Sequence, residues 1–415
     1  MRKIIIVPAF GFISWDGGVD YLKLQIKYLI RLKEQNKIDD VILFLPELSP
    51  FGNFKRIIKN SIKHVISRPL ERNQIFRHVL FEKDDEINRK IKIKKYCCDK
   101  VSGKKSIRNY IRQYENAIIF PVSEPLKALS CDQIGYIPDL QHLHLQHFFK
   151  KRERIARDAS FKNILNNCDV VVVNSLDTKL DLENNYPKET SRSVIFATPF
   201  LPVADKNILT CTVDISAYNL PEKYFIISSQ LWIHKDHITA FKALNILHER
   251  GYREIHIVCT GSVKDYRFPY YFDNIKEFIK KSNLEQYIHF LGFIPKEEQV
   301  AIMKKSISLV QPTLFEGGPG GGATYDAISY GVRAIVSDIG INKEIKHKSV
   351  YFFEKQNAND LSNVMETIMN TIPEMPTLDE LLSQRKKNIN EGAQFLADVF
   401  LSSRVVNMKN QTWKK

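Results

Sequence analysis

The sequence predicts an α/β protein built from two successive units, each a parallel sheet covered by helices on both faces. Three observations carry this. Short apolar runs rich in β-branched residues alternate with stretches of helical period, from KIIIVPA near the start to VRAIVSD in the last quarter. That alternation stops near TPFLPVADKN (Thr198–Asn207) and then restarts. The chain has 415 residues, more than one core ordinarily serves. Uninterrupted apolar strands are those of parallel sheets buried on both sides. The expected division is 1–205 for the first unit, 206–390 for the second, and a helical segment 391–415 that packs back on the first unit and closes the molecule.

Taken in order, KIIIVPA reads as a buried strand. GGVDYLKLQIKYLIRLKEQ follows it, with apolar residues at 19, 22, 26, 29, 30 and 32, which is one face of a helix. DDVILFLP, NAIIFPV and CDVVVVNS are further strands. In the second unit PEKYFIISSQ is a strand and HITAFKALNILHERG a helix, with apolar residues at 238, 241, 244, 246 and 247. REIHIVCTG, YIHFLGF, SISLVQPT and VRAIVSD complete the strand set, with helices between them. From about Leu382 onward the pattern is helical. Open α/β sheets bind ligands beyond the carboxyl ends of their strands, so two facing sheets would form a cleft lined by the loops that follow strands.

The six cysteines (97, 98, 131, 168, 211 and 259) show no metal spacing, and their sparse usage fits a reducing compartment. The opening MRKIIIVPAF has too short an apolar run for a signal peptide, and no run reaches the eighteen or so residues of a membrane helix. A cytoplasmic protein is expected. The net charge is +14. Between Phe51 and Gln113 there are 18 Lys/Arg against 6 Asp/Glu, a local +12, and FKRIIKNSIKHVI places Phe54, Ile57, Ile58, Ile62 and Ile66 near helical spacing among lysines. Such a segment suits nucleic acid, an anionic membrane surface or a phosphorylated substrate, or it is simply a solvated basic face.

The most informative stretch is LFEGGPGGGATYDAISYG, Leu314–Gly331. Five glycines and one proline fill 317–322, directly after the strand SISLVQPT and directly before a helix that ends at Gly331. Strand, glycine loop and helix N-terminus form a cradle for phosphate: bare backbone approaches closely, and exposed N–H groups and the helix dipole favour an anion. The loop lacks the G-x-x-x-x-G-K-S/T pattern, and it does not follow a first strand as the dinucleotide fingerprint does. Glu316 and Asp326 bracket it. Carboxylates accept hydrogen bonds from hydroxyls, so the two acids suit a sugar and a ribose on either side of a diphosphate.

With those residues quoted, PTLFEGGPGGGATYDAISYGVRAIVSDIGINKEI resembles the donor-site signature of glycosyltransferase family 4, retaining enzymes of the GT-B fold. In that family a Glu, a glycine loop and a second Glu eight residues on bind the donor. Here the second acid is Asp326, ten residues after Glu316. The resemblance implies a donor site of Glu316, Gly317, Gly318, Gly320, Gly321, Gly322, Ala323, Thr324 and Asp326. SSQLWIHKDHITAF resembles the element that grips the diphosphate: Lys235 matches the family lysine, while Ser229 or Gln230 stands where an arginine is usual. Gln230 is placed in the donor site, and the second charge is assigned to Arg267 or to a helix N-terminus. SWDGGVDYL places Gly17 and Gly18 at a further helix N-terminus with bare backbone, and the resemblance implies that they lie under the donor phosphate, although a plain tight turn reads equally well. IGYIPDLQHLHLQHFF resembles a family stretch whose histidine, here His142, lies near the reacting sugar, with Asp139 orienting the loop. His144 and His147 do not continue a metal motif. Asn174 and Ser175 end a strand and shape the cleft.

The resemblance covers about residues 1–400 and implies a retaining glycosyltransferase. It would move a hexosyl-type unit from a nucleotide-diphosphate sugar to a glycan or lipid-linked glycan, in lipopolysaccharide O-antigen, capsule or exopolysaccharide synthesis. The expected catalytic residues are Glu316, Lys235 and His142. No cofactor is expected beyond the sugar nucleotide as co-substrate. No metal is expected either, since no D-x-D motif occurs. The expected partners are the donor, the acceptor and an anionic membrane surface bound peripherally, without nucleic acid. Two alternatives stay open: a nucleic-acid-binding protein using the basic segment 51–113, in which aromatic interleaving is thin, and a catalytically inactive sugar-nucleotide-binding subunit.

Overall fold

The computed structural model describes residues 3–13, 15–46, 85–96, 100–127, 129, 131–265, 267–372 and 374–412. Most of the basic segment, including the amphipathic stretch 54–66, lies outside these residues. The first sheet holds seven parallel strands: β1 (Ile4–Pro8), β2 (Asp40–Pro46), β3 (Lys92–Tyr96), β4 (Ala117–Val122), β5 (Asp132–Ile137), β6 (Val170–Val173) and β7 (Val194–Ala197). Their order is β3-β2-β1-β4-β5-β6-β7. The second holds six: β8 (Tyr224–Ser228), β9 (His256–Thr260), β10 (Ile288–Gly292), β11 (Leu309–Gln311), β12 (Ala334–Ser337) and β13 (Val350–Phe353), in the order β10-β9-β8-β11-β12-β13. Every pairing is parallel. Both sheets reverse their winding beside their first strand, at β1/β4 and β8/β11, which are the crevices where such sheets take ligands.

Helical periodicity became burial where the sequence pattern placed it. In the helix Asp16–Glu34, Val19, Leu22, Ile26, Leu29, Ile30 and Leu32 are all buried against the first sheet. The long helix Leu378–Thr412 begins beside the second domain and runs onto the first. Ala393, Leu396, Val399 and Phe400 join the core of β1, β2 and β4. Phe400 meets Phe120 edge to face, and Lys3 Nζ donates to Phe400 O at 3.0 Å. Position 392 must be glycine for this docking, since a Cβ there would stand 2.3 Å from the Tyr28 ring. The helix is continuous through 390, where the sequence division separated the second unit from the closing segment. Among the described residues, no helix is long and apolar enough to cross a membrane.

Candidate active site

β11 delivers the glycine loop, and the chain enters the helix Gly321–Ser329 through two residues with positive φ, Gly320 (66°) and Gly321 (56°). A left-handed entry of this kind is open to glycine and strained for other residues. It leaves the first N–H groups of the helix without intrahelical acceptors. At position 321 a side chain would also collide with the Glu316 carboxylate, 2.6 Å from the Cβ position, whereas position 322 faces open space.

Glu316 is 8% exposed and lies at the foot of this helix. Its Oε1 accepts from Lys235 Nζ at 2.5 Å and from Gln311 Nε2 at 2.8 Å. Gln311 Oε1 in turn accepts from the hydroxyl of Thr324, which is fully buried. Lys235 ends the short 3₁₀ turn Ile233–Lys235 after β8. The turn is fastened to the glycine strand: Leu314 N donates to His234 O at 2.8 Å. Thus Lys235, Glu316 and the segment 320–324 form one cluster at the carboxyl ends of β8 and β11. Gln230 is half-buried in the loop leading to Lys235, where its carbonyl accepts from Trp232 N at 2.8 Å.

The first domain supplies the facing wall. A side chain at Gly317 would stand 3.1 Å from Asp139 Cβ, and one at Gly318 would stand 3.3 Å from Asn174 Cβ. Asn174 is held by Tyr136 OH, which donates to its Oδ1 at 3.1 Å, and donates from Nδ2 to Pro138 O at 3.1 Å. Asp139 Oδ1 accepts from Arg157 at 2.5 Å and from Gln141 N at 2.9 Å, which fixes the loop after β5. Aromatic contacts bridge the two domains: Phe148 meets Phe268 at 5.2 Å, and the Arg267 guanidinium lies 5.0 Å from the rings of both Phe149 and Trp232. Asp265 is buried and ties the two loops together, accepting from Ile233 N at 3.2 Å and from Arg267 N at 2.8 Å.

Two expectations need correction. His142 does not face the cleft. It is 0% exposed, its Nε2 bonded to Asp158 Oδ1 at 2.9 Å and its ring against Phe161. Burial holds its imidazole below the ordinary range, against the opposing pull of Asp158. The histidine turned to the glycine loop is His144, whose ring lies 5.5 Å from Phe315 and whose Nε2 is 2.5 Å from Asp181 Oδ2. The Asp181 bond raises its pKa. Two residues apart on a helical turn, 142 and 144 point about 200° apart, so only one can face the cleft. Second, Asp326 is not an open ribose acceptor: its Oδ2 is ion-paired with Lys296 Nζ of the helix Lys296–Lys305. Gly17 and Gly18 lie at a helix N-terminus, in the first turn of the helix Asp16–Glu34 under the Trp15 indole, and Gly18 is buried.

Residues 213–388 match the family model described as glycosyl transferases group 1. No curated protein sequence matches the chain. Among solved structures, the fold is shared with sucrose-phosphate synthase from Thermosynechococcus elongatus at 14% identity and TM-score 0.56, over 100% of this chain and 98% of that one. It is shared with Anabaena HepE in complex with UDP and glucose at 12% identity and TM-score 0.55, over 99% and 100%. It is also shared with α,α-trehalose 6-phosphate synthase from Burkholderia multivorans at 11% identity and TM-score 0.54, over 100% and 99%. Two parallel sheets facing each other, with the glycine-loop cluster on the second, form the GT-B fold, and the part of the chain that carries the cluster, residues 213–388, matches the model of glycosyl transferases group 1.

Proposed function

We propose that this chain transfers a hexosyl-type unit, with retention, from a nucleoside-diphosphate sugar to a glycan or lipid-linked glycan acceptor. The observation that carries the reading is the Lys235–Glu316 pair, 2.5 Å apart at the N-terminus of the helix Gly321–Ser329. Without substrate the two charges satisfy each other. An incoming diphosphate draws Lys235 and meets the helix N–H groups, which frees Glu316 to accept from a hydroxyl of the sugar. As the glycosyl bond breaks, charge grows on the diphosphate, and Lys235 and the helix dipole stabilise it without a metal ion. The diphosphate takes the acceptor proton, so transfer occurs on one face of the sugar. Gln230, Ala323 and Thr324 belong to the proposed donor site. The HepE complex with UDP and glucose makes UDP-glucose the first donor to try.

The local +12 of segment 51–113 supports an acceptor at an anionic cytoplasmic membrane face. Co-sedimentation with anionic but not zwitterionic vesicles, weakened by salt and by neutralising Lys55, Arg56, Lys59 and Lys63, is the expected sign of it. The donor reading is tested by thermal shift against UDP-, GDP-, ADP- and dTDP-sugars. A ligand at a hundred times its Kd adds about 2.7 kcal/mol of stability. No shift with any of the four, at millimolar concentration, would refute donor binding.

A further inference from the structure

One turn in the second domain touches both the glycine loop and the opposite domain. The 3₁₀ segment Gly340–Glu344 follows β12. Its Asn342 is fully buried, donates to Ser337 O at 2.9 Å and accepts the amide of Gly320 at 2.8 Å. Gly320 is the residue at which the chain turns left-handed into the helix Gly321–Ser329. Two residues beyond Asn342, the Glu344 carboxylate crosses to the first domain. Its Oε2 accepts from Leu176 N at 3.0 Å and its Oε1 from Asp177 N at 2.7 Å. These are the first two amides of the helix Leu176–Asn185, whose own cap, Ser175, serves Thr178 N instead. Gly340 lets the turn come this close, since a Cβ there would stand 2.9 Å from Asp177 Oδ1.

We infer that Glu344 is a positioning residue: by capping the first domain's helix it locks the Gly340–Glu344 turn, and through Asn342 this holds Gly320 in the conformation that presents the phosphate-facing amides. A carboxylate bridging two adjacent helix N–H groups is a charge-assisted contact, stronger than neutral hydrogen bonds and favoured by the helix dipole. It forms only when the two domains face each other as they do here. The donor cradle is therefore completed by domain closure, and a nucleotide that needs the ordered cradle favours closure in return.

This consequence rests on the donor reading, so the decisive measurement uses no nucleotide. Hydrogen exchange on the full chain follows the amides of 317–324. Glu344→Ala should speed their exchange about tenfold, the usual loss for a charged hydrogen bond. Leu176→Pro is the independent variant. It deletes one of the two donors at the first position of a helix, where proline is tolerated. Leu176 is 59% exposed, and the preceding Ser175 is already extended (φ −161°, ψ 163°) as a residue before proline must be. It should give the same local acceleration, and the double variant should add little. Unchanged exchange at 317–324 in both variants would overturn the inference, as would equal acceleration across the helix Ala358–Met369, which has no part in the cluster, the mark of general loosening. Protection of 317–324 by added UDP then bears on the donor reading alone.

Discussion

Lys235 Nζ lies 2.5 Å from Glu316 Oε1, and both side chains are mostly buried, at 17% and 8% exposure. A cation held this way is available to a second anion only by leaving the first. Glu316→Ala should therefore bind nucleoside diphosphate at least as tightly as the native chain while losing transfer by at least about a hundredfold. Lys235→Ala should lose both affinity and turnover. Calorimetry with UDP, beside turnover, separates the two. Full turnover in a folded Glu316→Ala chain would end the assignment.

Asp326, on the helix Gly321–Ser329, forms a charged pair with Lys296. Burial raises the Asp326 carboxyl, and Lys296 opposes that rise. Removing either charge leaves the other short of its partner. We expect Asp326→Asn to lower stability by about 1–3 kcal/mol. A paired Asp326→Asn, Lys296→Met variant should lose less than the sum of its single changes. Urea denaturation measures both. If Asp326→Asn instead spares stability and weakens binding of intact ribose nucleotides alone, the ribose role stands after all.

The stacking of Arg267 on Phe149 and Trp232 joins the domains beside Lys235. Each cation–π contact contributes about 0.5–1 kcal/mol, so Arg267→Ala should slow transfer about tenfold. Phe149→Ala should behave alike, with the double variant well short of additive. Strict additivity in kcat would show that the guanidinium acts without the ring.

Acid sensitivity has a definite sign. Burial holds His142, His234 and His237 below the ordinary imidazole range, His237 down to about 3; the Lys235 charge adds to the effect at His234 and His237. The unfolded chain takes up these protons near pH 6.5, so the contribution is present above that pH and lost as pH falls. Burial lowers His256, His289 and His347 as well, while His144, Asp169, Asp177, Asp326 and Asp236 (to about 6) are raised and act the other way. Stability should fall from pH 7 to 5.5, by at most about 1.4 kcal/mol per pH unit for each histidine, and the melting temperature should fall with it. A folded His237→Gln variant should show a shallower slope. An unchanged slope would remove His237 from the account.

Much of this architecture is written locally. Burial on both sides forces β-branched runs, which made β1, β2, β4 and β6 readable. β3 escaped because it is an edge strand of sequence KIKKY, and edges tolerate the lysines that hide a strand pattern. β5, with DQIGYI, lacks an apolar run at its start. The glycine loop was legible because its chemistry is contiguous. The partners that correct the site are not: Lys296 is 30 residues from Asp326, and Glu344 is 168 from Leu176. The choice between His142 and His144 depended on the rotation of one four-residue helix.

The docking of helix Leu378–Thr412 on the first sheet also bears on how the chain matures. Leu396, Val399 and Phe400 fill the core of a sheet whose last strand ends at Ala197. During synthesis the helix Asp16–Glu34 covers part of that core early, but the part taken by these three side chains stays open while the whole second domain is being made. The first domain thus reaches its final packing only once Phe400 has emerged. A fragment ending near 205 would expose an apolar surface that the intact protein never presents to water.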